Sequence, residues 1–323
     1  MAGRAAMFAT IAVALAVAPF ALGAYGLHLL IMAGIFGILA SSLALIVGQA
    51  GLLSLGHAAF FGVGAYTSAL LFLNAGVSLW GGILAAAAVG GLAAFLVGAL
   101  VLRVRGNRFI ITTVAFAEIA RLVVLNSVDI TRGQMGLPGI MAPVLDLPWI
   151  GSVDFNLKVN FYFLVLAVLI LCVASVHRIV HSPIGWGLTA LRENERLGES
   201  VGVSAFRHAM IAFVLGGVFA GAAGALQAHY LNFVSPDLFL FSITTTVLVM
   251  VVIGGKATIF GPVVGALLFT LLPEYLRIAD QFRLVFLGSV LLLTILLAPN
   301  GVMDIWHRLR ARRRSAPSMR VVG

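Results

Sequence analysis

Ten stretches of this 323-residue chain are apolar, most of them for long enough to cross a bilayer, and that fixes the solvent its folded surface must meet. They run at about 5–24, 27–47, 58–73, 79–102, 109–127, 159–180, 209–231, 238–254, 257–276 and 282–299. With hydrophobic residues at 62% and charged residues at 10%, the apolar surface exceeds what one water-soluble core can hide. Backbone groups in hydrocarbon must be satisfied within the segment, and runs of this length do so as helices rather than as the shorter alternating strands of a barrel. The expected fold class is an all-α polytopic membrane protein with about ten transmembrane helices.

Charge sets the orientation, because Lys and Arg in short loops stay cytoplasmic. Arg4, the cluster Arg103, Arg105 and Arg108, the group Arg178, Arg192, Arg196 and Arg207, Lys256, and the run Arg308, Arg310, Arg312, Arg313 and Arg314 fall on one side if all ten segments span. Both termini are then cytoplasmic. Lys158, Arg277 and Arg283 fall outside, the latter two beside Glu274 and Asp280. The net charge of +9 is spread over membrane borders and the basic tail 301–323, which suits anionic lipid and gives no reason to invoke nucleic acid. Cys172 is the single cysteine, so an intrachain disulfide and a cysteine metal site are excluded. Segment 5–24 is long enough to span and reads as an uncleaved first helix despite the signal-like Ala21-Leu22-Gly23. Residues 1–300 read as one transmembrane domain. The first five segments begin inside and the next five outside, as an inverted repeat requires, although the two halves do not align in sequence.

Two loops interrupt the apolar pattern. Residues 128–158 should lie outside and carry Gly133, Gly136, Pro138, Gly139, Pro143 and Pro148, which end helices. Residues 181–207 should face the cytosol, and Leu188, Leu191, Leu197 and Val201 recur there at roughly helical spacing, with Arg192, Glu193, Glu195, Arg196 and Glu199 between them. This predicts one short amphipathic helix ending near Gly202. Such a helix can lie on the membrane surface, or it can project as a rigid handle for a motor beneath it.

Polar residues inside the segments mark candidate sites. The third segment is short and carries Gly56, Gly62 and Gly64, and glycine-broken membrane helices free backbone groups that can meet a polar solute. Gln49, Ser54 and His57 are the polar side chains there; the simple topology puts them near the cytosolic end, whereas a re-entrant break puts them deeper. The same small residues also suit plain helix packing. Glu118 and Arg121, three apart on the fifth segment, can share one helical face and either meet a zwitterion or neutralise each other. Thr112, Thr113 and the Thr244-Thr245-Thr246 run can line a path or bond to their own helices. Gln227, His229 and Asn232 fall at the outer end of the seventh segment.

Gly48-Gln49-Ala50-Gly51-Leu52-Leu53-Ser54-Leu55-Gly56-His57-Ala58-Ala59-Phe60-Phe61-Gly62-Val63-Gly64-Ala65-Tyr66 is followed by Arg105-Gly106-Asn107-Arg108-Phe109 and by Ala115-Phe116-Ala117-Glu118-Ile119. Then come Leu191-Arg192-Glu193-Asn194-Glu195 to Gly202-Val203, Ser235-Pro236, Val251-Val252-Ile253-Gly254-Gly255 and Phe260-Gly261-Pro262. This ordered set, over about residues 27–300, resembles the LivM-type permease subunits of branched-chain amino acid ABC importers. The resemblance implies the ABC importer permease fold in a bacterial inner membrane, and alternating access for branched-chain amino acids or a related solute such as urea or amides. It implies a second, LivH-like permease subunit, two cytoplasmic ATP-binding subunits holding ATP-Mg, and a periplasmic substrate-binding protein. It makes 181–207 the coupling loop, with Arg192, Glu193, Asn194, Glu195, Glu199 and Gly202 as ATPase-coupling residues. No cofactor and no catalysis are expected on this chain: Gly254-Gly255-Lys256 is followed by Ala257 and does not meet the P-loop spacing.

Two departures bear on the substrate. Where the family shows Thr-Gly-Gly or Thr-Asn-Gly, this chain reads Thr131-Arg132-Gly133, and Lys256 replaces a residue that is commonly small or neutral. The rival readings are a proton-coupled carrier with Glu118 as proton site and an intramembrane hydrolase using Ser54 and His57.

Overall fold

The computed structural model describes residues 15–104, 106–141, 144–147, 151–256, 258–275 and 301. The segment at 282–299, the basic tail beyond residue 301, the first half of the first segment, and Arg4, Arg105, Ala257, Arg277, Asp280 and Arg283 lie outside these described residues.

Each fully described apolar segment forms a helix. They are α1 (Ala24–Ala44, continued by a π-helical turn Leu45–Gln49), α2 (His57–Ala75), α3 (Leu79–Val101), α4 (Asn107–Asn126) and α5 (Lys158–Val180). After the polar island, built from α6 (Pro183–Glu193) and α7 (Glu195–Ser200), come α8 (Ala205–Leu231), α9 (Phe241–Gly254) and α10 (Gly261–Tyr275). Among the described residues six helices are long and apolar enough to span, while α9 and α10 are shorter apolar helices. Lys158 Nζ donates to the Ala24 carbonyl at 3.3 Å, so α1 and α5 start at the same end. That end is opposite the island.

Glycine decides how closely the bundle closes. Helix α8 and helix α1 are the most covered of the six spans. A Cβ on Gly221 would lie 2.2 Å from the Ala86 carbonyl oxygen of α3, and one on Gly224 would lie 2.0 Å from the Phe61 carbonyl oxygen of α2. Backbone therefore meets backbone, the contact that small residues allow when lipid supplies no hydrophobic drive between helices. Phe60, Phe61 and Phe213 are all buried, and the Phe60 and Phe213 rings pack edge to face with centroids 5.4 Å apart. The Gly254-Gly255 step has the same cause: a Cβ on Gly254 would stand 1.8 Å from the Gly261 carbonyl oxygen, where α9 turns sharply into α10.

At the end opposite the island, β1 (Leu137–Pro138) pairs antiparallel with β4 (Phe233–Val234), and β2 (Val144–Leu147) forms a hairpin with β3 (Gly151–Asp154). The expected turn-rich loop is thus fastened to the end of α8. His229 joins in, with Nε2 2.9 Å from Ser68 Oγ and Nδ1 3.1 Å from the Met141 carbonyl oxygen. It ties three elements together at the outer end of α8, and it is buried.

Arg132 adopts φ 58°, a left-handed backbone that any L residue with a Cβ occupies at a cost. Position 132 is where the resembled family carries Gly or Asn, the residues that tolerate this conformation. We expect Arg132→Gly to raise the unfolding midpoint of the detergent-solubilised protein, by about 1 kcal/mol in stability, and Arg132→Val to lower it.

The island departs from the single helix expected from its leucine spacing. Asn194 takes an extended backbone (φ −155°, ψ 103°), ends α6 and caps α7 by accepting from Leu197 N at 3.2 Å. An N-cap side chain competes with helix continuation, and here it wins. Leu188 is buried, but Leu197 and Val201 are 65% and 77% exposed because the break rotates α7 off the stripe. Gly202, at φ 88°, ends α7 where the spacing put the end.

Candidate functional site

Between Gln49 and His57 the chain leaves helical geometry. The third segment is not interrupted by Gly62 or Gly64, which lie inside continuous α2; the only break is at Ala50–Gly56. Its depth follows from its neighbours. His57 Nε2 is 2.7 Å from Ser42 Oγ, seven residues before the end of the π turn, Leu55 N donates to Thr113 Oγ1 at 3.2 Å, and Ala58 N donates to Thr244 Oγ1 at 2.9 Å. At 1.5 Å of rise per residue these levels lie roughly 10–15 Å inside the island end of their helices. The chain reaches the island border at Gln49 and then runs back into the bundle, so Ser54 and His57 lie deeper than the simple topology puts them.

The broken segment keeps its backbone satisfied by borrowing hydroxyls. Thr113 of α4 donates to its own Ile110 carbonyl at 2.8 Å and accepts from Leu55 N, while Thr244 of α9 accepts from Ala58 N in the first turn of α2. Thr245, by contrast, bonds to its own helix at Phe241 O, and Thr112 to its own helix at Arg108 O. Gly56 lets the segment approach α4, since a Cβ there would lie 2.2 Å from the Thr113 carbonyl oxygen. Thr113 and Thr244 were among the residues whose role the sequence left open. Their partners lie 58 and 186 positions away, and no local pattern signals that. Thr244→Val keeps the shape but strands the buried Ala58 N–H. A stability loss of about 1–3 kcal/mol is expected in thermal unfolding, with Thr244→Ser recovering most of it.

The polar side chains of the break are sealed. Ser54 and His57 are 0% and 1% exposed, and Gln49 is 7% exposed. Ser42 Oγ donates to the Leu39 carbonyl at 2.8 Å, so its oxygen is left to accept from His57 Nε2–H, which makes Nδ1 the unprotonated nitrogen. Among the described residues neither His57 Nδ1 nor Ser54 Oγ has a hydrogen-bond partner. The serine and histidine therefore do not form the bonded pair that the hydrolase reading needs.

A second polar group lies elsewhere. Arg121 Nε contacts both carboxylate oxygens of Glu118, at 2.9 and 3.0 Å, and the two residues sit on the face of α4 that also exposes Ile111, Ile119, Leu122 and Val123. Glu118 has 47% of its side chain exposed, and α4 is the least covered of the six spans. Along the same face Ile119, Leu122, Val123, Asn126 and Ser127 line a shallow groove of about 390 Å³. Thr112 is half-buried near its island end. The structure thus divides the candidate pathway residues into a buried set, Gln49, Ser54 and His57, and a set on α4, Thr112, Glu118 and Arg121.

On the island, Glu193 and Glu199 are exposed, and Glu195 opens α7 in its first turn, where a carboxylate suits the helix dipole. Asn194 and Gly202 shape the backbone. Arg192 is exposed as well, but its guanidinium reaches back to the bundle: Nη1 donates to the Gly48 carbonyl at 2.6 Å. Among the described residues no three or more His, Cys, Asp or Glu gather as metal ligands would.

A family model described as branched-chain amino acid transport system / permease component matches residues 25–296. Two curated relatives, both high-affinity branched-chain amino acid transport system permease protein LivM, are 34% identical. The one from Salmonella typhimurium aligns over 89% of this chain and 72% of its own length, the one from Escherichia coli K12 over 93% and 75%. No solved structure matches.

Proposed function

We propose, on the premise that this chain belongs to the family of branched-chain amino acid transport permeases and is therefore a permease subunit of an ABC importer, that its cargo is leucine, isoleucine or valine and that α4 faces the path they take. The chain is a multi-pass membrane protein and not an enzyme; ATP is hydrolysed on other subunits. The membrane is the bacterial inner membrane, the island end is cytoplasmic, and the partners are a LivH-like permease, two subunits that bind ATP-Mg, and a periplasmic binding protein. The relatives' role as permease proteins of a branched-chain amino acid transport system supports this reading.

The observation that carries the proposal is the Glu118–Arg121 pair on the open face of α4. Each unit charge in mid-membrane costs about 2.5–3.5 kcal/mol on insertion scales, so a pair on a lipid-facing helix is unfavourable unless water or protein covers it. A second permease subunit across that face, with a hydrated path between the two, removes the cost. An amino acid zwitterion presents an ammonium and a carboxylate, and Glu118 and Arg121 supply the complementary charges three residues apart. Leu122 and Val123 beside them suit an aliphatic side chain.

Alternating access then needs only that ATP binding favour one of two arrangements of the permease pair. Leu197 on α7 and Val201 just after it, both exposed, suit docking into an ATP-binding subunit. The proton-coupled carrier loses its support, since Glu118 is held by Arg121 and the family is ATP-driven. The cargo is tested by uptake of labelled leucine into cells expressing the whole complex. Competition by excess isoleucine and valine, but not by urea or acetamide, is expected; competition by urea alone overturns the assignment.

A further inference from the structure

The last carbonyls of a helix have no intrahelical donors and need partners from elsewhere. At the end of α1, three carbonyls of the π turn are met from beyond it. Ala50 N takes the Leu45 carbonyl, Leu52 N takes the Ile46 carbonyl, and the Gly48 carbonyl accepts from Arg192, a residue of α6 that is 144 positions away. A guanidinium at a helix C-terminus meets both an unpaired acceptor and the negative end of the dipole. The contact continues along the side chain. Gly51, at φ 71°, lies under the Arg192 stem so closely that a Cβ there would stand 2.8 Å from Arg192 Cγ.

A second tie is apolar. Leu45 of the π turn, Leu188 of α6 and Ala212 of α8 form a buried cluster separate from the main core, with Ala50, Ile179, Ile184 and Leu215 packed against it. The island is thus joined to the base of the broken segment by one charge-assisted hydrogen bond and one small cluster. From that base, the seven residues Ala50–Gly56 lead to His57. Within this run Leu53 is the exposed side chain and Ala50, Leu52 and Leu55 are partly covered, and the hydrogen-bond partners further along sit on α4 and α9. π turns store a local irregularity that can be rearranged without unfolding the helix.

We propose that Arg192 is a positioning residue that transmits displacement of the island to the broken segment Ala50–Gly56, so that the ATP-driven step resets the unwound backbone beside α4. This rests on reading the island as the loop that meets the ATP-binding subunits. Arg192 holds the permease's own backbone while Glu193, Glu199, Leu197 and Val201 face outward. When α6 moves, the Gly48 carbonyl either follows the guanidinium or loses its donor, and both responses alter the exit of the chain from α1.

The test uses the whole complex in proteoliposomes with Leu53→Cys and Cys172→Ala, since Cys172 is buried and Leu53 is 38% exposed. Labelling of position 53 by a thiol reagent is compared between nucleotide-free and vanadate-trapped complex. With Arg192 present the two rates should differ by about tenfold, and in Arg192→Ala they should converge to within about twofold while subunit stoichiometry is unchanged. Arg192→Lys, which keeps one donor and the charge, should restore most of the difference. In the native-cysteine background, leucine uptake per ATP hydrolysed should fall about tenfold in Arg192→Ala and recover in Arg192→Lys. Nucleotide-dependent labelling that survives Arg192→Ala, or that is absent with Arg192 intact in a complex that imports leucine, overturns the proposal. Loss of subunits from the Arg192→Ala complex also overturns it, by making Arg192 a docking contact. Absence of ATP-driven uptake with Arg192 intact would instead refute the importer reading on which the proposal rests.

Discussion

Gly224→Val is expected to leave almost no correctly assembled protein. Position 224 lies in α8 at its crossing with α2, where even the first side-chain carbon would stand 2.0 Å from the Phe61 carbonyl oxygen and 2.8 Å from Ala65 N. Both are backbone atoms, so no rotamer change relieves the clash and the helices must separate. That separation would propagate: α2 also carries Gly64 against Gly221, and α3 meets the same stretch of α8 through Gly90 against the Gly217 carbonyl. Overpacking in a close-packed interior commonly costs about 1–3 kcal/mol, and a rigid backbone contact belongs at or beyond the top of that range. Gly23→Ala is the control, because nothing lies within 4 Å of a Cβ there. Size-exclusion of detergent extracts should show a monodisperse peak for wild type and Gly23→Ala, and aggregate for Gly224→Val. A normal peak for Gly224→Val would mean that α8 and α2 are not in backbone contact.

The Glu118–Arg121 pair gives the largest expected effect on transport. Arg121→Leu leaves a carboxylate alone on a membrane-exposed face, and Glu118→Leu leaves the guanidinium alone, so each should reduce leucine uptake by about tenfold or more. The informative variant is the exchange Glu118→Arg with Arg121→Glu. A pair that only neutralises itself is regained by the exchange, and uptake should then return to within about threefold of wild type. A pair that orients a zwitterion is regained as a pair but with its charges reversed along α4, so assembly should recover and uptake should not. The account predicts the second pattern, read as uptake against the amount of intact complex in the membrane.

Much of the architecture is legible in the sequence because the bilayer leaves few options. Apolar runs near 20 residues must be helices, and the segments at 27–47, 79–102, 109–127, 159–180 and 209–231 coincide with α1, α3, α4, α5 and α8 to within a few residues. The island and its end near Gly202 are legible for the same reason, as polar sequence between spans. The break at Asn194 is not, since leucine spacing runs through it and the decision is made by one side chain capping the next helix. Nor is the depth of His57, which depends on Ser42, Thr113 and Thr244 arriving from three other helices. Arg192 is the clearest case: its neighbours mark it as one charge of a solvated island, and only the folded chain brings it to the Gly48 carbonyl. Glu118 and Arg121 are legible as a pair from their spacing, but the openness of their face comes from how the other helices pack.

The central claim is that this permease moves branched-chain amino acids only when coupled to ATP hydrolysis on its partners. The most direct measurement reconstitutes the chain with a LivH-like permease and two ATP-binding subunits in proteoliposomes, adds binding protein and labelled leucine outside, and varies ATP inside. Accumulation that requires lumenal ATP and stops in vanadate is expected. Accumulation driven by a proton gradient without ATP, or by this chain without the ATP-binding subunits, would contradict it.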